Sequence, residues 1–409
     1  MNREPRNINH VLIALVAAAS LALTVWYATA EFIPNIAQNS LDFGFDAPRY
    51  HLFAQKNAQY SLLEILAGSD MDVFAQPGYP IVLSLVYGLV TPDPLVGCVF
   101  NWVLWAAAGF LLVPLARKEP GSATPLLFLT LWLLYPEAID WAGTTSKEPL
   151  IVFLVACGLR ACTSRAPGWA QALIVSVLAG CMFWVRSVAV PLLALALAIS
   201  FEFRGGSSKA RGPRALLLVM AATMTLYVVG GDAGSERGDT DNPLAFAGYS
   251  KTETIASESF FAGSLLPHMG SPNRVVDSFF VPIRGVSHLF SPLYVSPFNY
   301  PIGGIVVWLS SAVCSAAALA IVLRLLAGDP WTRTRAILFG VVVLGVIALG
   351  FSGMIHQRYR SILVAALLPL GLRSGREEIA TVGTRRLMAV GVLFPVIVFA
   401  IYRAVQMVL

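Results

Sequence analysis

Apolar runs of about 20 residues, long enough to cross the hydrocarbon of a bilayer as helices, recur from one end of this chain to the other. Backbone N–H and C=O groups inside lipid must be satisfied within the spanning segment, and a helix does this. The expected fold is therefore an all-α polytopic membrane protein. Composition agrees, with 57% hydrophobic and 12% charged residues against about 25% charged in an average soluble protein. No stretch of soluble makeup is left over, and residues 1–409 read as a single integral membrane domain.

The first run, "VLIALVAAASLALTVWYA", follows the basic head "MNREPRNINH". It is longer than the core of a cleaved signal peptide and is read as a retained signal anchor. Further spans are expected at Leu95–Leu115, Pro125–Trp141, Pro149–Ala161, Trp169–Val185, Val190–Glu202, Ala215–Gly230, Ile305–Leu326, Ala336–Ser352, Ser361–Leu372 and Leu387–Val408, about 11 transmembrane helices in all. Most of the 28 Lys and Arg then fall on one side, including Arg3, Arg6, Arg117, Lys118, Arg160, Arg165, Arg333 and Arg335. Cytoplasmic loops carry the excess of basic residues, so that side and the N-terminus are placed in the cytoplasm. The segment "YPIVLSLVYGLV" is cut off from the next span by "TPDP". At about a dozen residues it is too short to cross and is expected at the outer surface.

The net charge of +5 is on this reading an orientation signal and a match for anionic lipid headgroups. No basic run is dense enough to suggest nucleic acid. Cys98, Cys157, Cys162, Cys181 and Cys314 lie in or beside spans without paired metal spacing, and are read as small packing residues with no disulfide framework.

Two large extracytoplasmic loops follow from this topology, residues 31–93, with surface helices, and residues 231–301. Loops of this length in a compact protein tend to be functional. The first carries Asp42, Asp46, Glu64, Asp70 and Asp72; the second carries His268, Arg274, Arg284 and His288. Polar clusters at outer ends of spans add to them: "YPEAIDWAGTTSKEPL", "WVRSVAVP" and "GMIHQRYR". Ionisable groups at membrane depth are costly and face a cavity or a partner, which makes them functional candidates. Carboxylates beside several cations suit a reaction whose acceptor loses a proton while its leaving group gains negative charge.

Four segments in order carry a family resemblance: "DAPRYHLFA" with its Asp-x-x-x-Tyr-x-x-x-Ala spacing, "QPGYPIVLSLVYGLVTPDPLVG", "SKEPLIVFL" and "HQRYRSILVAALLPLGL". Together they resemble the GT-C glycosyltransferases that use polyprenyl-phosphate sugars, such as protein mannosyltransferases and lipid A aminoarabinose transferases. The resemblance covers the first third of the chain and a late stretch; residues 231–301 have no counterpart in it. It implies a GT-C-like bundle, a polyprenyl-phosphate sugar donor, a lipid or glycan acceptor, and a multi-pass location in the bacterial inner (plasma) membrane. Asp46 matches the family's catalytic base and Glu148 an acid of its second outer loop. Many members carry a second acid directly after the loop Asp, where this chain has Ala47, and that departure weakens a metal-site reading.

The chemistry can be argued from the residues as well. A polyprenyl phosphate leaves readily when cations hold its charge, whereas an acceptor hydroxyl is a poor nucleophile until a carboxylate takes its proton. One base and several cations are the minimum set, and attack from the opposite face inverts the anomeric centre. Arg358 and Arg360, on the outer face against the positive-inside bias, are the candidate donor-phosphate ligands, with His356, Arg186 and Lys147 as further members. Tyr50, Arg49, His51, Glu148, Asp140 and Tyr359 are candidate substrate-binding residues.

Ordinary readings stand beside each of these. Asp46 can be a helix cap, Tyr50 an interfacial anchor, Arg358 and Arg360 snorkelling residues, and Glu148 a partner of Lys147 or a cap for the helix starting near Pro149. Glu137 and Asp140, three apart on one helical face, are better read as structurally paired than as acceptor ligands. No His/Cys metal pattern exists, and an oxygen-only site for Mg or Mn is left open by the spacing. An oligosaccharide polymerase or ligase and a lipid-linked sugar transporter or flippase remain the alternatives. Against the transporter stand the lack of an internal repeat and the size of the outer loops.

Overall fold

A computed structural model describes residues 4–37, 47–67, 77–116, 124–186, 189–205, 301–326, 331–351 and 360–372. Asp46, His356, Arg358, Tyr359, the expected spans Ala215–Gly230 and Leu387–Val408, and nearly all of the second loop lie outside them. Every element among the described residues is helical. In chain order these are α1 (Glu4–Tyr27), continued by a π-helical turn over Ala28–Phe32, α2 (Ile33–Ala37), α3 (Ala47–Asn57), α4 (Leu62–Ala67) and α5 (Gly78–Leu89). Then come α6 (Pro94–Ala116), α7 (Thr124–Leu133), α8 (Pro136–Ala142), α9 (Glu148–Thr163), α10 (Gly168–Arg186) and α11 (Val190–Gly205). The last three are α12 (Pro301–Leu326), α13 (Arg333–Phe351) and α14 (Arg360–Leu372).

The starts of these helices are written in local chemistry. Asp93 Oδ1 accepts the Leu95 N–H at 2.7 Å ahead of α6, and Pro94 occupies the first helical position, where its missing N–H costs nothing. At α4, Ser61 Oγ accepts the Glu64 N–H and Glu64 Oε2 accepts the Ser61 N–H at 2.7 Å, a reciprocal capping box. Thr332 Oγ1 accepts the Arg335 N–H at the start of α13.

One expected span is not continuous. Pro136 removes a helical N–H and pushes Tyr135 into extended backbone, φ −61° and ψ 119°, so the stretch Pro125–Trp141 divides into α7 and α8. The break is sealed by side chains. The Trp105 indole donates to the Trp132 carbonyl at 2.9 Å, and the Trp132 indole donates back to the Trp105 carbonyl at 2.8 Å, with the rings stacked 4.3 Å apart. The carbonyl of Trp132, four residues before Pro136, is the one that loses its helical donor, and it accepts the Trp105 indole and also the Tyr135 N–H at 3.2 Å.

The helices form a bundle in which α9 lies against α6, α10, α11 and α14, and α14 in turn packs on α12, α13 and α6. The run Leu363–Leu368 of α14 is buried on every side, as expected of a helix that is apolar all round. By contrast α1 and α10 turn large side chains outward, including Leu15 at 62% exposure, Trp169 at 72% and Phe183 at 63%. An apolar surface of that extent is stable against lipid and not against water. Three described helices, His10–Phe32, Pro94–Ala116 and Gly168–Arg186, are long and apolar enough to cross a membrane. The described elements are thus all helical, and the chain has the makeup of a membrane protein. All five cysteines are free thiols, with Cys98, Cys162 and Cys314 buried.

At one end of the bundle Arg333 reaches the carbonyls that end α9. Its guanidinium donates to Cys162 at 2.6 Å and to Ser164 at 3.2 Å, and also to Gln171 Oε1 and Ser200 Oγ. A cation at a helix C-terminus complements the dipole there. The polar residues with candidate functions gather at the other end.

Candidate active site

The short helix α3 carries the "APRYHLFA" motif. Its buried residues Tyr50, His51, Phe53, Ala54 and Asn57 fall on one side, while Arg49 is exposed. Tyr50 and Ala54, four apart, share that face and belong to the main core. They are covered by α5, whose Tyr79 ring meets Tyr50 edge-on at 5.4 Å. The helix α5 has 12 residues, about 18 Å at 1.5 Å per residue, and packs on α3, α10 and α6. Its N-terminus can approach α10 because residue 78 is glycine: a Cβ there would stand 2.8 Å from the Trp184 carbonyl carbon and oxygen.

The motif "SKEPL" is brought to α3 by the turn between α8 and α9. Thr145 Oγ1 donates to the Ala47 carbonyl at 2.6 Å, tying the first residue of α3 to this turn across 98 residues of sequence. Lys147 stands 5.8 Å from the centre of the Tyr50 ring, within the range at which a cation is held by an aromatic face. Glu148, 2% exposed, lies 3.5 Å from the Arg186 guanidinium at the end of α10. Its partner is therefore Arg186, across a helix interface, and Lys147 turns to the ring.

Asn101, in the middle of α6, holds this turn. Its amide donates to the carbonyls of Thr144 at 2.8 Å and Ser146 at 2.9 Å, and its Oδ1 accepts the Tyr79 hydroxyl at 3.1 Å. It is fully buried. Asn101 did not figure among the sequence candidates, although one signal was present: a lone amide inside an otherwise apolar span. Tyr79 and Thr145 gave no such signal, because tyrosine and threonine are common in interfacial segments.

His51 faces α5, where its Nδ1 and the Tyr87 hydroxyl share a hydrogen bond of 2.8 Å. Burial holds its pKa below the usual 6.5, partly offset by the negative charge of Asp93. A neutral imidazole follows, the form that can accept the tyrosine proton.

Two acids of α8 have separate partners. Asp140 Oδ1 accepts the Tyr27 hydroxyl at 2.8 Å. Glu137, 1% exposed, pairs with Arg360 and also accepts the Tyr135 hydroxyl at 3.0 Å. Arg360, likewise 1% exposed, donates to Ser311 Oγ of α12 at 2.6 Å as well. The guanidinium expected to hold a donor phosphate is thus engaged inside the bundle, joining α8, α12 and α14.

The described residues therefore bring together Tyr50, Lys147, Glu148 and Arg186, with Arg49 on the exposed side of the same helix α3. They place His51 against Tyr87, Asp140 against Tyr27 and Arg360 against Glu137. Chemically the first group offers two cations and one carboxylate beside a tyrosine ring, a set suited to an anionic ligand that also presents hydroxyl groups. Among the described residues no three His, Cys, Asp or Glu side chains gather as a metal-binding group. No protein-family model, curated protein or solved structure matches the chain.

Proposed function

We propose that this protein is a membrane glycosyltransferase that moves a sugar from a polyprenyl-phosphate donor to a lipid or glycan acceptor at the extracytoplasmic face, with inversion, in the synthesis of a cell-envelope glycan or glycolipid. The reading includes a GT-C-like bundle of about 11 spanning helices, two large outer loops, a cytoplasmic N-terminus and a bacterial inner-membrane location. One observation carries it. Motif residues 47–54 and 146–154, far apart in sequence, are brought together by the Lys147–Tyr50 contact and by the hydrogen bond from Thr145, just before the second motif, to Ala47, with Arg186 added through Glu148.

In the proposed step Asp46, next in the chain to Ala47, takes the proton of the acceptor hydroxyl. The oxygen attacks the anomeric carbon, and the bond from that carbon to the phosphate oxygen breaks. The polyprenyl phosphate departs with the electron pair, its charge held by Arg358, His356, Arg186 and Lys147. Tyr50, Arg49, His51 and Tyr359 belong to the substrate environment in this scheme, which leaves a divalent cation, Mg or Mn, open as a cofactor.

The test is to incubate the purified protein with labelled polyprenyl-phosphate sugars and lipid acceptors and to identify products by mass spectrometry. A sugar-bearing acceptor is expected, and Asp46→Asn should reduce its formation by about 100-fold or more while the fold is kept. Movement of the labelled lipid across liposomes with no covalent change would replace this reading with a transporter.

A further inference from the structure

Glu137 and Glu148 are both buried acids paired with an arginine, but their surroundings differ. Glu137 has both carboxylate oxygens engaged, one by Arg360 and one by Tyr135. Glu148 is 2% exposed, and its Oε1 makes no hydrogen bond among the described residues. What holds it is the charge of Arg186, at 3.5 Å and outside hydrogen-bond geometry. An ionised carboxylate has room for about four hydrogen bonds, and buried polar atoms are nearly always satisfied. The Glu148–Arg186 pair is therefore loose, and it sits beside a second cation, Lys147, over the Tyr50 ring.

A phosphate offers more to the same guanidinium than this carboxylate does, since it can accept two parallel N–H bonds where the pair makes none. The Arg186 side chain is 11% exposed, against 3% for Glu148, so the cation is the more accessible member. We propose that Glu148 is the internal occupant of the donor-phosphate position: its carboxylate holds Arg186 until a phosphate displaces it, and the released carboxylate then accepts a hydrogen bond from the incoming acceptor. This inference rests on the glycosyltransferase reading. It makes donor binding precede acceptor binding, because the acceptor's partner is occupied until the phosphate arrives.

The experiment is a binding titration of the full-length protein in detergent micelles with farnesyl phosphate as the probe, and inorganic phosphate in parallel. Thermal unfolding of each variant reports the fold. Glu148→Gln keeps the shape and removes the charge that competes for Arg186, so it should bind farnesyl phosphate about 10-fold more tightly than the wild type, while Arg186→Gln should bind it more weakly. A buried acid with a merely structural role would give the opposite sign or no change. Should Glu148→Gln fail to fold, Glu148→Asp, whose shorter side chain holds Arg186 less closely, should show a smaller tightening. The gain with both probes assigns the exchange to phosphate alone, and the gain with farnesyl phosphate only adds the lipid chain; either supports the proposal. Wild-type binding that is unchanged or weakened in the folded variants overturns the exchange and leaves the donor assignment standing. No binding of farnesyl phosphate to any form overturns the donor assignment and the exchange together.

Discussion

Asn101, inside the long apolar helix α6, donates to the carbonyl of Ser146 at 2.9 Å, two residues before the buried acid Glu148. The amide spans the gap between α6 and the turn that delivers Lys147 and Glu148, and it accepts from Tyr79 of α5 as well. Three elements of the candidate site thus converge on one side chain.

Replacing Asn101 by Leu keeps the volume but leaves the carbonyls of Thr144 and Ser146 and the Tyr79 hydroxyl without a partner. Each buried group so stranded costs about 1–3 kcal/mol, although hydrogen bonds in bilayer proteins average nearer 0.6 kcal/mol. The expected outcome is a clear drop in the thermal unfolding midpoint in detergent together with loss of sugar transfer. Full activity at an unchanged midpoint would show that the turn is held by its other contacts.

Arg360→Ala strands Glu137 as a buried unpaired acid, and removal of one partner from such a pair costs about 3–5 kcal/mol. Thermal unfolding should fall sharply. The double variant Glu137→Gln with Arg360→Met removes both charges and should recover most of that loss, since a buried pair contributes little against well-packed neutral side chains. Farnesyl phosphate binding separates the two roles of Arg360. The double variant should bind the probe as the wild type does if the residue is structural, and a loss of binding in a folded double variant would return Arg360 to the donor site.

His51 links stability to pH. Its folded pKa lies below the usual 6.5 because burial disfavours the charged ring. Between the folded value and 6.5 the unfolded chain binds more protons, so stability is complete above about 6.5 and is lost as pH falls below it. Glu64, whose pKa is lowered from 4.5 by its bonds to Ser61, acts only in a more acidic range. The thermal midpoint should therefore decline between about pH 7 and pH 5. In His51→Gln, which keeps a hydrogen-bonding group for Tyr87, the profile should be flatter in that window. An equally steep decline in the variant would place the titrating group elsewhere.

Much of the helical bundle was legible in the chain because an apolar helix is a local property. The windows Leu95–Leu115, Pro149–Ala161, Trp169–Val185 and Val190–Glu202 each fall within α6, α9, α10 and α11, since length and hydropathy are read within one segment. The divided span is instructive in the same terms. Pro136 was visible, but whether it kinks a helix or ends one depends on whether the freed carbonyls find other donors, and here Trp105 supplies one for Trp132 from a different helix.

The candidate site was legible as residue types and not as partnerships. Lys147, Glu148, Arg186 and Tyr50 could each be singled out as polar or aromatic groups at the ends of apolar runs, because charge at membrane depth is costly wherever it occurs. The sequence alone therefore determined which segments are apolar, where helices can start, and which side chains demand an explanation. Only the tertiary structure decided that Glu148 meets Arg186 and not its neighbour Lys147, that Arg360 joins Glu137 across 223 residues, and that Asn101 secures the turn between them. Hydropathy and helix propensity act over a few turns of one chain segment. An ion pair or a side-chain hydrogen bond depends on distances of a few ångströms between helices, and those are fixed only when the whole bundle packs.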